Sequence, residues 1–241
     1  MTPGIWAGEL APAVNGAAVV AGASLGALGL RGLPENVRTA VMQAVALAVV
    51  AIGLDMSLGP GQHLDPLLLV AAMVVGTFVG QLLQVEERLE SGAERLRRRM
   101  GGTGGFVEGL VLATLVFCVG PLAVVGALDS GLRGQGGLLF AKSLLDGVTA
   151  LFFASTFGWA VVLAAVPVWL YEGAIALGAG ALAPILSAPV ISGMSQTGGL
   201  LVVGIGVNVL LGAKLKVGNM LPALVFGAVF AGLKAHFGLP V

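Results

Sequence analysis

The sequence has little charge, one cysteine and two histidines. Only 10% of its 241 residues are charged, and the 12 basic and 12 acidic side chains cancel, whereas about 25% of an average soluble domain is charged. This scarcity excludes an ordinary soluble globule, a disordered chain and a nucleic-acid binder, which would need a basic face. The single Cys118 excludes an intramolecular disulfide, and the few His and Cys residues cannot form a His/Cys metal cluster. We therefore expect neither a metal site nor a cofactor.

Apolar residues dominate instead, with 57% hydrophobic residues and 39 glycines. About 20 consecutive apolar residues cross a bilayer as a helix. The composition is typical of an all-α polytopic membrane protein, and eight spans are predicted at residues 10–30, 37–58, 65–84, 106–127, 138–164, 166–186, 194–212 and 218–237. Spans five and six nearly touch at Trp159–Pro167, where one long re-entrant element is the alternative. Because no Lys or Arg precedes span one, we expect that span to be retained rather than cleaved as a signal peptide.

Basic residues are distributed unevenly over the loops and the ends of these spans. Two of them, Arg133 and Lys234, fall on one side, and Lys142 lies within span five. The other nine fall on the opposite side: Arg31, Arg38, Arg88, Arg95, Arg97, Arg98, Arg99, Lys214 and Lys216. Since Lys and Arg favour cytoplasmic loops, both termini are predicted to lie outside the cytoplasm. The polar segment 85–105 then contains a cytoplasmic amphipathic helix on the membrane surface.

Two parts of the sequence repeat each other. Residues 42–59 and 195–212 share eight of eighteen positions at a constant offset of 153, among them Gln43/Gln196, and Asp55 matches Asn208. Chance would give roughly two identities in so biased a composition. Asn15-Gly16 also falls on Glu172-Gly173, and Glu108-Gly109 falls on Asp146-Gly147. Within a single membrane domain, 1–241, we predict repeat one at 10–84, a central helix pair at 106–165 and repeat two at 166–238.

The order of the spans predicts the direction of this repeat. Spans one to three match spans six to eight, and spans four and five match each other. Five crossings precede the second copy, so it enters the membrane from the opposite side. Such an inverted-topology repeat is common in secondary transporters and also occurs in channels.

Polar residues inside the apolar spans are candidates for substrate or ion binding, because a polar group at membrane depth needs a partner or a wet cavity. Lys142 and Asp146 stand four apart on one helical face, as a structural ion pair or as a pair that a ligand can switch. Gly120-Pro121 breaks span four or merely kinks it. The full candidate set is Asn15, Gln43, Asp55, Glu108, Gly120, Pro121, Lys142, Ser143, Asp146, Ser155, Thr156, Glu172, Gln196, Asn208 and Asn219.

Four stretches resemble a known family. They are Arg31–Met56, Phe106–Leu132, Ala141–Val161 and Val217–Val225, with the run VGNMLPALV in the last. In these stretches and over nearly its whole length, the chain resembles domain-of-unknown-function family 554, the YdfK/YqgA-like bacterial membrane proteins. The resemblance implies a multi-pass protein of the bacterial inner (plasma) membrane and a possible transporter. It implies no particular substrate.

These observations favour a secondary transporter of a small solute or ion, working by alternating access, coupled to protons or sodium, with its site between the two repeats. An ion channel and a non-transporting scaffold or regulator are the alternatives. No Ser/His, paired-Asp or HExxH arrangement is visible, so we expect no enzyme activity. The expected partners are the lipid bilayer, the solute or ion, and a second copy in a homodimer. No nucleic-acid partner is expected.

Overall fold

The computed structural model describes residues 3–29, 34–59, 64–100, 105–119, 121–212 and 215–238, and every regular element in these ranges is helical. The expected all-α class is therefore confirmed for this part of the chain. The helices are α1 Pro3–Gly29, α2 Glu35–Leu58, α3 Pro66–Leu83, α4 Val85–Met100, α5 Phe106–Val119, α6 Pro121–Arg133, α7 Gly137–Phe157, α8 Ala160–Leu163, α9 Ala165–Leu177, α10 Ala179–Leu182, α11 Ala188–Leu211 and α12 Ala223–Phe237, with a 3₁₀ turn at Val217–Met220 before α12.

Six helical stretches are long and apolar enough to cross a membrane. They are Leu10–Gly29, Pro66–Leu83, Gly137–Phe157, Ala160–Leu177, Ala188–Leu211 and Val217–Phe237, counted over the described ranges. The pair α5 and α6 is bent by 57° and adds a seventh if it forms one span. The apolar part of α2, Ala46–Leu58, is shorter. The chain is thus a helical membrane protein, and length and composition support six or seven spans rather than all eight that the sequence predicts.

The junction of spans five and six lies earlier than predicted. Helix α7 ends at Phe157 and not at residue 164, because Gly158 follows with φ +65°, a left-handed conformation that glycine adopts without strain. The next apolar stretch begins at Ala160 and not at residue 166. Helix α11 also starts before residue 194, at Ala188, where Ser187 is extended and a proline occupies the first turn.

The chain divides into two compact units. The first contains α1, α5 and α6 apart from residues 119–121, and α7 to α10; the second contains α2 from Ala46 onward, α3, α11 and α12. Helix α4 is divided between them after Glu90. In terms of the predicted spans, the first unit holds all or most of spans one, four, five and six, and the second holds span two from Ala46 onward and spans three, seven and eight. The two members of each predicted span pair therefore lie largely within one unit, although Gln43 falls in the first unit and its predicted mate Gln196 in the second.

Glycines set the close helix packing inside each unit. In the first, a Cβ on Gly22 or Gly26 of α1 would lie 1.9 or 2.0 Å from a backbone oxygen of α7. In the second, a Cβ on Gly80 of α3 would lie 1.9 Å from the backbone oxygen of Asn219, and one on Gly76 would lie 2.3 Å from the backbone of Ala223. Two small residues four apart allow such backbone approach. Both motifs therefore serve contacts between helices of the same chain.

Candidate functional site

A cluster of four buried polar side chains lies in the first unit. We call it the buried polar cluster; it consists of Asn15 on α1, Lys142 and Asp146 on α7, and Glu172 on α9. Their exposed fractions are 0%, 4%, 8% and 0% in that order. Sequence analysis proposed all four as candidates, but it paired only the two residues on α7. The structure brings the other two to them from different helices.

Hydrogen bonds and ion pairs connect the four side chains. The Asn15 Nδ2 donates to Asp146 Oδ2 at 3.0 Å and to Glu172 Oε1 at 2.8 Å. The Lys142 ammonium contacts Asp146 Oδ2 directly, and its Nζ lies 3.4 Å from Glu172 Oε1. One amide and one ammonium thus hold two carboxylates together.

The cluster is balanced neither in charge nor in hydrogen bonding. With every group in its usual ionised form, two carboxylates face a single ammonium, so one negative charge has no counter-charge. Asn15 Oδ1 and Glu172 Oε2 are buried and accept no hydrogen bond within the described part of the chain. A buried charge or acceptor without a partner is costly. The arrangement is therefore suited to taking up a positive ion or a proton.

Local sequence explains why these helices meet. Gly22 and Gly26 let α1 lie against α7, and a Cβ on Gly16 would come within 3.4 Å of Trp169 Cβ on α9. Small residues on α1 therefore place Asn15 between two helices. On α7, the four-residue spacing puts Lys142 and Asp146 on one face, one turn apart.

A cavity of about 1100 Å³ in the first unit is lined by residues of α1, α6 and α9. Its lining includes Pro12 on α1, Trp169 and Gly173 on α9, and Arg133 at the end of α6. Pro12 is three residues before Asn15, and Gly173 follows Glu172 directly. The Arg133 guanidinium at this cavity is also paired with Asp129 at 3.0 Å. The cavity is large enough for a small metabolite.

The other candidates in the first unit do not join the buried polar cluster. Ser143 and Ser155 donate to carbonyls of their own helix, those of Leu139 at 2.7 Å and Phe152 at 2.6 Å. Such bonds within a helix are a common way to satisfy a buried hydroxyl. Thr156 is half-buried near the end of α7, and Glu108 is exposed in the first turn of α5. Of the predicted break in span four, Gly120 lies outside the described residues, and Pro121 falls in the second unit as the first residue of α6.

In the second unit, the side-chain amides of two candidate residues, Gln196 and Asn208, form hydrogen bonds with the backbone of connecting segments. The Gln196 Oε1 accepts from Leu64 N at 2.7 Å, and its Nε2 donates to Leu64 O at 3.2 Å. Asn208 makes the same pair of bonds with Leu215, at 3.0 and 2.8 Å. Their predicted repeat mates Gln43 and Asp55 are exposed on α2. In this structure both amides serve to position the segments next to α3 and α12.

Asn219 anchors the junction between α3 and α4. Its Oδ1 accepts from Glu86 N at 2.8 Å, its Nδ2 donates to Gln81 Oε1 at 2.9 Å, and the Glu86 carboxylate accepts from Gly218 N at 2.9 Å. Partial burial raises the pKa of Glu86 above its ordinary value, against the lowering effect of the Gly218 hydrogen bond. Sequence analysis did not single out Gln81, because a glutamine at the end of a span is not distinctive.

An ion pair in the second unit was also missed. The Lys234 ammonium on α12 lies 3.6 Å from Asp65 Oδ2, and Lys234 is buried. The sequence placed this lysine among the surface charges of the outer side. Asp65 also caps α3, since its Oδ1 accepts from Leu68 N at 2.9 Å, and this bond lowers the pKa of Asp65. A lysine in the last turn of an apolar helix gave no sign of a partner far away in the sequence.

Helix α4 carries charges of opposite sign at its two ends. Glutamates occupy its first turn and arginines its last, the arrangement that a helix dipole favours. Glu94 accepts from Arg97 and Arg98, and these bonds lower the pKa of Glu94 to about 2. Lys216 pairs with Glu87 at 2.6 Å.

Comparison with known proteins gives a family and no activity. A family profile described as "Protein of unknown function (DUF554)" matches residues 10–231. The "Uncharacterized membrane protein YdfK" of Bacillus subtilis (strain 168) is 29% identical over 93% of this chain and 96% of its own length. The "Uncharacterized protein YqgA" of Escherichia coli (strain K12) is 28% identical over 89% of this chain and 93% of its own length. No solved structure matches the chain. The match over residues 10–231, together with the helical apolar architecture, identifies the chain as a membrane protein of the DUF554 family.

Proposed function

We propose that the chain is a secondary transporter that moves a small solute or ion by alternating access, coupled to protons or sodium, and that it has no enzymatic activity. The observation that carries this proposal is the buried polar cluster. A charge near the centre of a bilayer costs at least about 2.5–3.5 kcal/mol, and such charges mark ion and substrate pathways. Three charges from two helices, with one carboxylate in excess, are more than a structural ion pair needs.

The position of the cluster supports an internal repeat. Asn15 and Glu172 are predicted mates, each followed by glycine, and their side chains are hydrogen-bonded to each other at 2.8 Å. Two equivalent positions touch each other only near the symmetry axis that relates them. The cluster is thus built where the first helices of the two predicted copies meet.

The crossing of α2 and α11 supports the same symmetry in the second unit. A Cβ on Gly53 would lie 2.6 Å from Gly199 O, and one on Gly206 would lie 2.9 Å from Ala46 O. The offset of 153 converts Gly53 into Gly206 and Ala46 into Gly199. The first contact therefore becomes the second, as a two-fold axis through the crossing requires.

An inverted repeat needs an odd number of spans before the second copy begins. Counting α2 as a span, and the bent pair α5–α6 as another, gives the eight crossings that the sequence predicts. The second copy then enters the membrane from the opposite side, and the two copies can exchange conformations around a fixed site. We place the protein in the bacterial inner membrane with both termini outside the cytoplasm, on the strength of its basic residues.

The cavity of the first unit is our candidate for the solute. It is lined largely by apolar groups, with Trp169 and the Arg133 guanidinium among them. It runs along the helices that carry Asn15 and Glu172. A solute in this cavity could influence, and be influenced by, the charge state of the cluster.

Transport by purified protein in liposomes tests this proposal. Uptake of a panel of labelled inorganic anions, amino acids, carboxylates and sugars is measured with a proton or a sodium gradient imposed. We expect saturable uptake of at least one solute, driven by one of the gradients, and a loss of at least tenfold in Asp146→Asn. Glu90→Gln is the matched control, because it makes the same kind of change at an exposed carboxylate of α4.

Other outcomes would point to the alternative functions. Ion flux that rises linearly with driving force and does not saturate would favour a channel. Absence of flux from a folded protein that co-purifies with one partner would favour a scaffold. Uptake that Asp146→Asn leaves unchanged would contradict the site assignment.

A further inference from the structure

The two carboxylates of the buried polar cluster are not equivalent. Asp146 contacts the Lys142 ammonium directly and accepts a hydrogen bond from Asn15 through the same oxygen. Glu172 is completely buried, and its Oε1 lies 3.4 Å from the same ammonium. Its Oε2 accepts no hydrogen bond from the described residues. Lys142 and Asp146 therefore form the ion pair, and Glu172 holds the uncompensated charge.

A metal cation is poorly suited to compensating this charge. Lys142 already places a positive charge beside both carboxylates, and it would repel a second cation at contact distance. Sodium in transporters is coordinated largely by carbonyls of unwound helices. Lys142, Asp146 and Glu172 stand inside the unbroken helices α7 and α9, whose carbonyls are occupied by helical hydrogen bonds.

A proton can neutralise the excess negative charge of the cluster without a set of coordinating oxygen atoms. It converts the Glu172 carboxylate into a neutral carboxylic acid, so that one ammonium and one carboxylate remain. It also needs no coordination shell, only the carboxyl oxygen itself. On release, Glu172 becomes a carboxylate that competes with Asp146 for the Lys142 ammonium and the Asn15 amide.

We propose that the buried polar cluster binds one exchangeable proton, carried by Glu172, and that this proton rather than sodium is the coupling ion. The role of this proton as the coupling ion rests on the proposed transport function. Proton binding at Glu172 does not depend on that function. Lys142 is the fixed counter-cation, and Asn15 positions both carboxylates. The other titratable groups within electrostatic range of Glu172 are the Cys118 thiol and the Tyr171 phenol, and both are neutral near neutral pH.

Infrared spectroscopy of the purified protein in lipid tests for the proton without requiring transport. At neutral pH we expect a carboxylic acid C=O band that shifts in heavy water, and we expect Glu172→Gln to lose it. Glu90→Gln should keep the band. Thermal unfolding provides the second measurement: replacing choline by sodium in the buffer should leave the midpoint unchanged, in wild type and in Glu172→Gln alike.

A double variant guards against misfolding. Lys142→Met combined with Asp146→Asn removes the ion pair as a neutral unit and leaves Glu172 in place. This variant should keep the carboxylic acid band if Glu172 carries the proton. Glu172, without its counter-cation, is then the one carboxyl of the cluster, so a band at a frequency different from that of wild type would show that the wild-type signal comes from Asp146.

Several results would overturn the inference. They are the absence of a carboxylic acid band at neutral pH, a band that Glu172→Gln leaves intact, and a rise in the unfolding midpoint with sodium that Glu172→Gln abolishes. The two proposals can fail separately. A band without any flux would contradict transport and leave the proton site standing, whereas sodium-driven flux without a band would do the reverse.

Discussion

At the scale of single residues, the sequence showed which polar groups to consider but not which of them meet. Lys142 and Asp146 could be paired from sequence alone, because their spacing is local. Asn15 and Glu172 are 157 residues apart in the sequence, and only the repeat alignment related the two positions to each other. Gln43 and Gln196 show that aligned, identical residues need not make the same contacts. They are identical and are predicted repeat mates, yet within the described part of the chain only Gln196 of the two forms side-chain hydrogen bonds.

This difference gives a prediction with a built-in control. Gln196→Leu leaves the N–H and C=O of the buried Leu64 without partners, at a cost of about 1–3 kcal/mol per buried group. We expect the unfolding midpoint to fall by about 2–4 °C for each kcal/mol lost. Gln43→Leu, at the exposed mate, should change stability by no more than about 0.5 kcal/mol. Equal effects of the two variants in a thermal unfolding experiment would contradict this assignment.

At the scale of helices, local rules of sequence worked well where glycine and charge decide the structure. The four-residue spacing of Gly22 and Gly26 is typical of close helix approach, and α1 lies against α7 through these two residues. The charges of α4 follow the helix dipole. The end of α7 was misplaced, because the apolar character continues through Gly158 and hydropathy contains no signal for a positive φ. The start of α11 was misplaced for a different reason, because Pro189, Ser192 and Gly193 interrupt the apolar residues of its first turns.

The close approach of α1 and α7 can be tested with two glycines of one helix. Gly22→Leu forces side-chain atoms into the backbone of Gly147, where even a Cβ would lie 1.9 Å from the carbonyl oxygen. Overpacking of this kind typically costs about 1–3 kcal/mol, and here it also moves Asn15 away from Asp146. We expect a lower unfolding midpoint and weakened function. Gly29→Ala, whose Cβ would meet no atom within 4 Å, should be neutral; a Gly22→Leu protein as stable as wild type would show that α1 packs elsewhere.

At the scale of the whole molecule, the helical membrane class could be predicted from composition alone. The number of spans could not be predicted, because α2 is only partly apolar and because the bent pair α5–α6 is either one broken span or a re-entrant loop. The division into two units was also beyond the sequence. It depends on which helices pack together, and a repeat alignment indicates equivalence rather than contact.

Cysteine labelling can determine whether α5 and α6 form one crossing. In a Cys118→Ala background, single cysteines are placed on either side of the pair, as Arg95→Cys on α4 and Gln135→Cys after α6. A membrane-impermeant maleimide applied to intact cells should label Gln135→Cys and not Arg95→Cys, because the basic segment is predicted to be cytoplasmic. Labelling of both positions would mean that the two ends of the bent pair α5–α6 lie on the same side of the membrane, so that the pair does not cross it. Labelling of Arg95→Cys alone would reverse the predicted orientation.

The contact between Asn15 and Glu172 has a consequence for the energetics of a transport cycle. If two repeat copies were identical, exchanging their conformations would produce inward- and outward-open states of equal energy, whatever the pH. Under the proposed repeat, one copy presents Asn15, which does not ionise, and the other presents Glu172, which does. In the proposed cycle, such a difference at the point where the copies touch makes the balance between the inward-open and outward-open states depend on proton concentration.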